Sequence, residues 1–193
     1  MPDSVDPRRV THTIAPVMDA RCRVLVLGTM PSPRSREVGF YYGNPQNRFW
    51  PVLAGLWGEP VPGEDVARAH GVALSRAAMD PNLVGEVNGE RRDLCLAHHV
   101  ALWDVLRSCT ITGASDASIA DAVPNDLAGL LARAPITSVF CTGATATRLY
   151  RRLVEPGLGM PCVGLPSTSP ANARMRLCDL VCAYGPVRDA ADA

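Results

Sequence analysis

Arg23-Val24-Leu25-Val26-Leu27-Gly28 is the stretch on which the reading of this 193-residue chain turns. A strand with one wet face alternates apolar with polar residues. A run that is apolar at every position reads as a strand buried on both faces, the usual state of a parallel strand. Gly28 ends the run, and a turn that carries function is expected after it. Three further short runs have the same character: His99–Leu106 (HVALWDVL), Ile136–Thr142 (ITSVFCT) and Pro161–Leu165 (PCVGL). Helical patterns lie between them. Phe49, Val52, Leu53, Leu56 and Trp57 recur at helical spacing, a short helix falls within 58–80, and Asn125–Arg133 reads as a helix with Pro124 or Asn125 near its start. ATATRLYRRLV follows Gly143, and a last helix falls within 171–185. Strands alternating with helices predict an α/β fold, a three-layer αβα arrangement with a central, mostly parallel four-stranded sheet. The polar stretch 1–20 reads as a flexible N-terminal arm and 21–193 as one domain.

Composition narrows the function classes. Hydrophobic residues make up 47% and charged residues 20%, which excludes a disordered tail or a coiled coil. Net charge is zero, so nucleic acid is not bound by a uniformly basic surface, although a local basic groove remains open. All 19 basic residues are arginine, which excludes a lysine nucleophile, a Schiff-base lysine and a P-loop lysine. The seven cysteines form no CxxC pair, so no metal site or other cofactor is expected. Most sit in apolar context and read as buried reduced thiols, which points to a cytoplasmic protein. No apolar run approaches the ~20 residues of a membrane span.

Three loops follow the predicted strands and should converge on one edge of the sheet: 28–50, 107–121 and 166–172. The first, GTMPSPRSREVGFYYGNPQNRFW, concentrates tyrosines, amides and arginines in about 20 residues with little helical periodicity, and loops of that length inside a compact domain are usually functional. It offers backbone N–H groups, a stacking ring and amide side chains, the means of holding a flat heterocycle by its polar edge. The last, LPSTSPANA, is hydroxyl-rich and stiffened by two prolines, suited to phosphate contact. An ordinary helix-start turn capped by Thr168 or Ser169 would read the same way.

GTMPSPRS followed by YYGNPQNRFW, with LPSTSPANA near the C-terminus, resembles the uracil-DNA glycosylase superfamily, and within it the hypoxanthine-DNA (deoxyinosine) glycosylase branch. The likeness spans residues 24 to about 182. It implies Asn47 as the essential amide, Tyr42 as the ring that stacks on an extruded base, and Ser167, Thr168, Ser169 and Pro170 as the loop that inserts toward DNA. Gly28, Thr29, Met30 and Asn44 would line the base pocket, and Asp116 and Asn125 are the polar candidates of the middle loop. Mismatch-specific uracil/thymine glycosylases carry Asn at the position of Met30, which argues against that activity here.

Plainer readings stand beside these. Asn47 is a good N-cap for a helix starting at Arg48, Asn44 a natural Asn-Pro turn residue, and His98 and His99 structural. Asp104 stands at a strand end that faces the site or pairs locally. Arg148, Arg151 and Arg152 read as a solvated helix face. The likeness implies a monomeric enzyme, nucleoid-associated in a prokaryote, that hydrolyses the N-glycosidic bond of deaminated bases (hypoxanthine, uracil or both) in double-stranded DNA, single strands being left open; the absence of lysine implies that it is monofunctional. Asn47 would orient water rather than take its proton, because an amide is no base at neutral pH. The alternatives are a mismatch-specific uracil/thymine glycosylase, a non-catalytic DNA-binding module on the same fold, and a nucleoside hydrolase, which would need a cluster of acidic calcium ligands.

Overall fold

The computed structural model describes residues 6–113 and 116–193. Its strands are β1 (Arg8–Thr11), β2 (Val24–Gly28), β3 (Val100–Asp104), β4 (Leu106–Ile111), β5 (Ala120–Pro124), β6 (Ser138–Thr142) and β7 (Cys162–Leu165). The helices are α1 (Pro33–Val38), α2 (Phe49–Trp57), α3 (Glu64–Ala69), α4 (Leu74–Ala77), α5 (Val84–Ala97), α6 (Leu127–Leu131), α7 (Ala144–Leu153), α8 (Glu155–Leu158), α9 (Leu177–Ala183) and α10 (Gly185–Ala191).

The central sheet has the order β3-β2-β6-β7, with every neighbouring pair parallel. The apolar run in β2 explains the layers. Val24 and Val26 enter one core with Phe49, Val52, Leu53, Leu180 and Val187 from α2, α9 and α10. Leu25 and Leu27 enter another with Leu127, Leu130, Leu149 and Tyr150 from α6 and α7. Alternate side chains of a strand point to opposite faces, so a strand apolar at every position needs a helical layer on each side. The αβα arrangement read from the sequence is the one observed.

A second sheet, antiparallel and ordered β1-β4-β5, adds to that reading. HVALWDVL reads as one strand but is two: β3 ends at Asp104, and Val105 turns the chain, its N–H reaching Gly28 O at 2.9 Å before β4 begins. β1 is largely exposed, β5 is exposed or half-buried throughout and β4 carries Ser and Thr, so their pattern is that of polar loops. Residues 1–5 of the expected arm lie outside the described residues. From Arg8 onward the stretch is built into the fold: β1 pairs with β4, and fully buried Val17 exchanges backbone bonds of 3.0 and 2.9 Å with Leu102.

The periodicity reading misses α1, α5, α8 and α10, and the one helix expected within 58–80 is two, α3 and α4. The loop 29–48 contains α1, signalled by Ser32 accepting from Ser35 N–H at 3.1 Å, by Pro33 at the first helical position and by Gly39 at its end. α5 buries Val87, Arg91, Leu94 and Cys95, helical spacing that its two glycines and charges disguise. α6 begins at Leu127, two residues later than expected, capped by Asp126, whose carboxylate accepts from Gly129 N–H at 2.9 Å.

In chain order the parallel strands run β2, β3, β6, β7, yet β2 lies between β3 and β6. The chain leaves β2 first to one side and then to the other. Ligands of open α/β sheets bind at the carboxyl ends of the strands where the winding reverses in this way. Gly28, Asp104 and Thr142 stand at those ends.

Candidate active site

A cavity of about 850 Å³ opens at this reversal point. Its lining comes from residues 28–32 after β2, from 41–47, from Asp104 at the end of β3, from 116–117, from 142–145 after β6, and from the loop after β7. Each segment leaves the carboxyl end of a strand or is anchored to one that does.

Tyr42 and Asn47 both line it. The Tyr42 ring stacks on Phe49 with centroids 3.8 Å apart and planes 12° from parallel, and meets the Trp50 ring edge-on at 6.5 Å. Phe49 therefore takes one face of the tyrosine ring. The phenol donates to Thr142 Oγ1 at 3.0 Å, because Thr142 spends its own proton on Leu27 O at 3.3 Å. Tyr42 has φ of +50°, a left-handed conformation that costs an L-residue about 1–3 kcal/mol and persists only where surroundings enforce it. Burial first, and then the Asp104 charge, push its hydroxyl pKa well above the ordinary value, so the phenol stays neutral.

Asn47 Oδ1 accepts from Phe49 N–H at 3.0 Å and from Thr168 Oγ1 at 2.8 Å. A backbone N–H can only donate, so the side-chain atom facing it is the oxygen. Both lone pairs of that oxygen are used, whereas the NH₂ group has no protein partner among the described residues. α2 begins at Phe49 with Arg48 at its N-cap, so Asn47 lies one residue before the expected capping position; its oxygen still takes the first N–H of the helix, and its NH₂ group keeps a donor for the cavity.

The neighbouring Arg48 holds the last loop in place. Its backbone N–H donates to Thr168 O at 3.1 Å, and its guanidinium to Ser169 O at 3.2 Å, to Asn172 O at 2.7 Å and to Met175 O. Asn172 Nδ2 closes the loop on Ser167 O at 2.8 Å. Three carbonyls converging on one planar fork suit arginine rather than lysine.

Asp104 is 4% exposed. His12 Nε2 lies 2.9 Å from its Oδ2. The His12 ring sits among Tyr41 and Trp103, with centroids 6.1 and 6.3 Å away. Burial raises the carboxyl pKa of Asp104, and the hydrogen bond from His12 pulls it part of the way back. A Cβ on Gly28 would come within 2.2 Å of Asp104 Oδ1, so glycine is what lets the carboxylate sit over β2.

Of the residues singled out in the sequence, Gly28, Thr29, Met30, Tyr42, Asn44, Asn47, Asp116, Ser167, Thr168 and Ser169 line this one cavity. Asn44 also makes the expected turn, its Oδ1 accepting from Gln46 N–H at 2.9 Å. Asn125 is a correction. It is buried away from the lining, its amide donating to Asp104 O at 2.9 Å and Leu106 O at 3.0 Å, where it secures the β3–β4 turn. Pro170 is exposed and outside the lining. His98 stacks on Trp57 at 3.9 Å and pairs with Glu59 at 2.8 Å, in keeping with a structural role. Sequence reading missed His12, Arg48, Thr142 and Arg174. Only Arg48 had a signal, its place inside the Asn-Arg-Phe-Trp motif.

Beside the cavity runs a groove of about 1070 Å³ lined by Arg148, Arg151, Arg152 and Arg174 and by no carboxylate. Ala144, Ser167, Asn172 and Arg174 line both spaces, so the two are continuous. The arginines read as a solvated helix face form one wall of this groove. Among the described residues, no helix is long and apolar enough to cross a membrane.

A family model described as the uracil DNA glycosylase superfamily matches residues 15–183. A protein of Methanosarcina acetivorans named hypoxanthine DNA glycosylase is 30% identical over 159 residues, covering 82% of this chain and 85% of its own. One of the same name from Methanosarcina barkeri is 26% identical over 160 residues, covering 82% and 86%. The solution NMR structure of a Methanosarcina acetivorans protein, described as a candidate uracil DNA glycosylase, matches with a TM-score of 0.63 at 24% identity. That match covers 93% of this chain and 99% of the other, and it speaks for the fold.

Proposed function

The chain belongs to the uracil DNA glycosylase superfamily, and from that premise we propose that it is a monofunctional DNA glycosylase that releases hypoxanthine from DNA. The observation that carries the proposal is that Tyr42 and Asn47 line one open cavity at the reversal point of the sheet. A damaged base inside a duplex is out of reach, so the nucleotide swings out into a pocket. The cost is a few kcal/mol and is least for a mispaired base. The free face of Tyr42 takes the base. The Asn47 NH₂ donates to a water oxygen and holds it toward C1′, a gain from proximity. Negative charge on the leaving base is met by donors in the loop after Gly28.

The names of the two relatives favour hypoxanthine, and Met30 in place of an amide disfavours mismatched uracil and thymine. The test is base release from duplex and single-stranded oligonucleotides carrying hypoxanthine, uracil, xanthine or mispaired thymine. Release is expected from the hypoxanthine duplex, leaving an abasic site. Borohydride is expected to trap no covalent adduct, since the chain has no lysine. Binding without release from any substrate would favour the non-catalytic reading.

The arginine groove supports a path for the flanking phosphates. Each phosphate contact contributes about 0.9 to the slope of log K against log salt on duplex DNA. Replacing Arg151 and Arg152 together by Gln is expected to lower that slope by up to ~2 and to weaken binding alike for damaged and undamaged duplexes. An unchanged slope in fluorescence anisotropy would place the phosphates elsewhere.

A further inference from the structure

We propose that Asp104 accepts the proton of the attacking water and that His12, from the segment after β1, is its positioning residue. The inference rests on the glycosylase reading above and adds the component that reading lacks. Hydrolysis joins the water oxygen to C1′ while the C1′–N bond breaks and its electron pair leaves with the base. One water proton must go to an acceptor. Asn47 cannot be that acceptor, because its oxygen already receives Phe49 N–H and the Thr168 hydroxyl. Two carboxylates line the cavity, Asp104 and Asp116. Asp116 is exposed and receives a hydrogen bond from Thr29, whereas Asp104 is 4% exposed and backed by an imidazole.

The hydrogen bonds fix the direction of that pair. His12 Nδ1 accepts from Ile14 N–H at 3.3 Å, so the ring proton lies on Nε2 and is donated to Asp104 Oδ2 at 2.9 Å. Oδ1 is left for the cavity. It sits against Gly28, where a Cβ would stand 2.2 Å from Oδ1 and 3.4 Å from the Tyr42 hydroxyl, between the end of β2 and the stacking ring. In the reaction the water proton passes to Oδ1. The departing base takes a proton from solvent, and Asp104 returns its own to solvent on turnover. His12 aims the carboxylate through this hydrogen bond. It lies three residues before the segment that the family model matches, 15–183.

The titratable groups acting on Asp104 are His12, Tyr41 and Tyr42 from the loop before α2, and Asp116. None but His12 lowers its pKa. Burial raises the folded-state value, so ionised Asp104 disfavours the folded state above the unfolded carboxyl range, and activity is lost as pH falls through the raised value.

The experiment is a pH series of single-turnover base release on the duplex that the wild-type protein cleaves, with melting curves for each variant. Asp104→Asn keeps an acceptor for His12. It is expected to lose at least ~100-fold in rate, to show no acid limb, and to melt at or above the wild-type temperature at neutral pH. His12→Phe, which removes the lowering influence, is expected to move the acid limb to higher pH. Asp116→Asn is expected to keep the acid limb where it is. An Asp104→Asn rate within about threefold of wild type overturns the proposal, as does an acid limb that His12→Phe leaves in place or that Asp116→Asn removes. A wild-type protein that releases no base from any duplex defeats the glycosylase reading itself, a separate outcome.

Discussion

Asn47→Asp is expected to abolish most base release while leaving the fold intact. The carboxylate can accept from Phe49 N–H and from the Thr168 hydroxyl as the amide does, at 3.0 and 2.8 Å. What it lacks is the N–H that faces the cavity. Loss of water positioning is expected to lower single-turnover release by ~10²-fold or more, since displacements of about 1 Å in a reacting pair already have effects of that size. Asn47→Ala should lose as much activity and also leave two donors without an acceptor. That costs about 1–3 kcal/mol, or a fall in Tm of roughly 2–10 °C for a chain of this size. Wild-type release by the aspartate variant would remove the amide donor from the mechanism.

Arg48→Met is expected to have the largest effect on stability. It strips the guanidinium from the carbonyls of Ser169, Asn172 and Met175 together. Hydrogen bonds to a charged group contribute about 1.5–3 kcal/mol each, and a loop at the surface recovers part of that from water. A net loss of ~2–4 kcal/mol is expected, read as a Tm lower by roughly 5–15 °C. Thr168, which holds Asn47, belongs to the released loop, so base release should fall at least tenfold as well. Arg48→Lys is expected to behave like the methionine variant, since one ammonium cannot serve three carbonyls fixed for a planar fork. A lysine variant with wild-type melting would show that charge alone secures the loop.

Legibility from sequence followed the physics of each element. The central sheet could be read because burial on both faces leaves no polar position in Val24–Leu27, and no other local structure explains such a short run. The β1-β4-β5 sheet could not, because a largely wet strand with Ser and Thr has the pattern of a loop; its existence depends on pairing across about a hundred residues, as in Arg9 with Thr110. The placement of Tyr42 and Asn47 at one cavity was legible through their motif. Asp104 was visible as a strand-end carboxylate, but only the Gly28↔Asp104 register shows which loop it meets. Asn125 misled because a buried amide that satisfies two carbonyls looks in sequence like one that reads a base. His12 had no local signal at all; β1 must pair with β4, and His12 N–H reach Arg107 O at 2.7 Å, before the ring stands beside Asp104.

The left-handed backbone at Tyr42 has a consequence for the timing of costs. A loop that first had to arrange its aromatic platform around an arriving nucleotide would draw the ordering free energy from the binding step. Here Phe49 beneath the ring and Thr142 at its hydroxyl settle the arrangement when the chain folds. Under the proposed role of Tyr42 the platform is arranged before the nucleotide arrives, and the free energy of docking is not drawn on to order it.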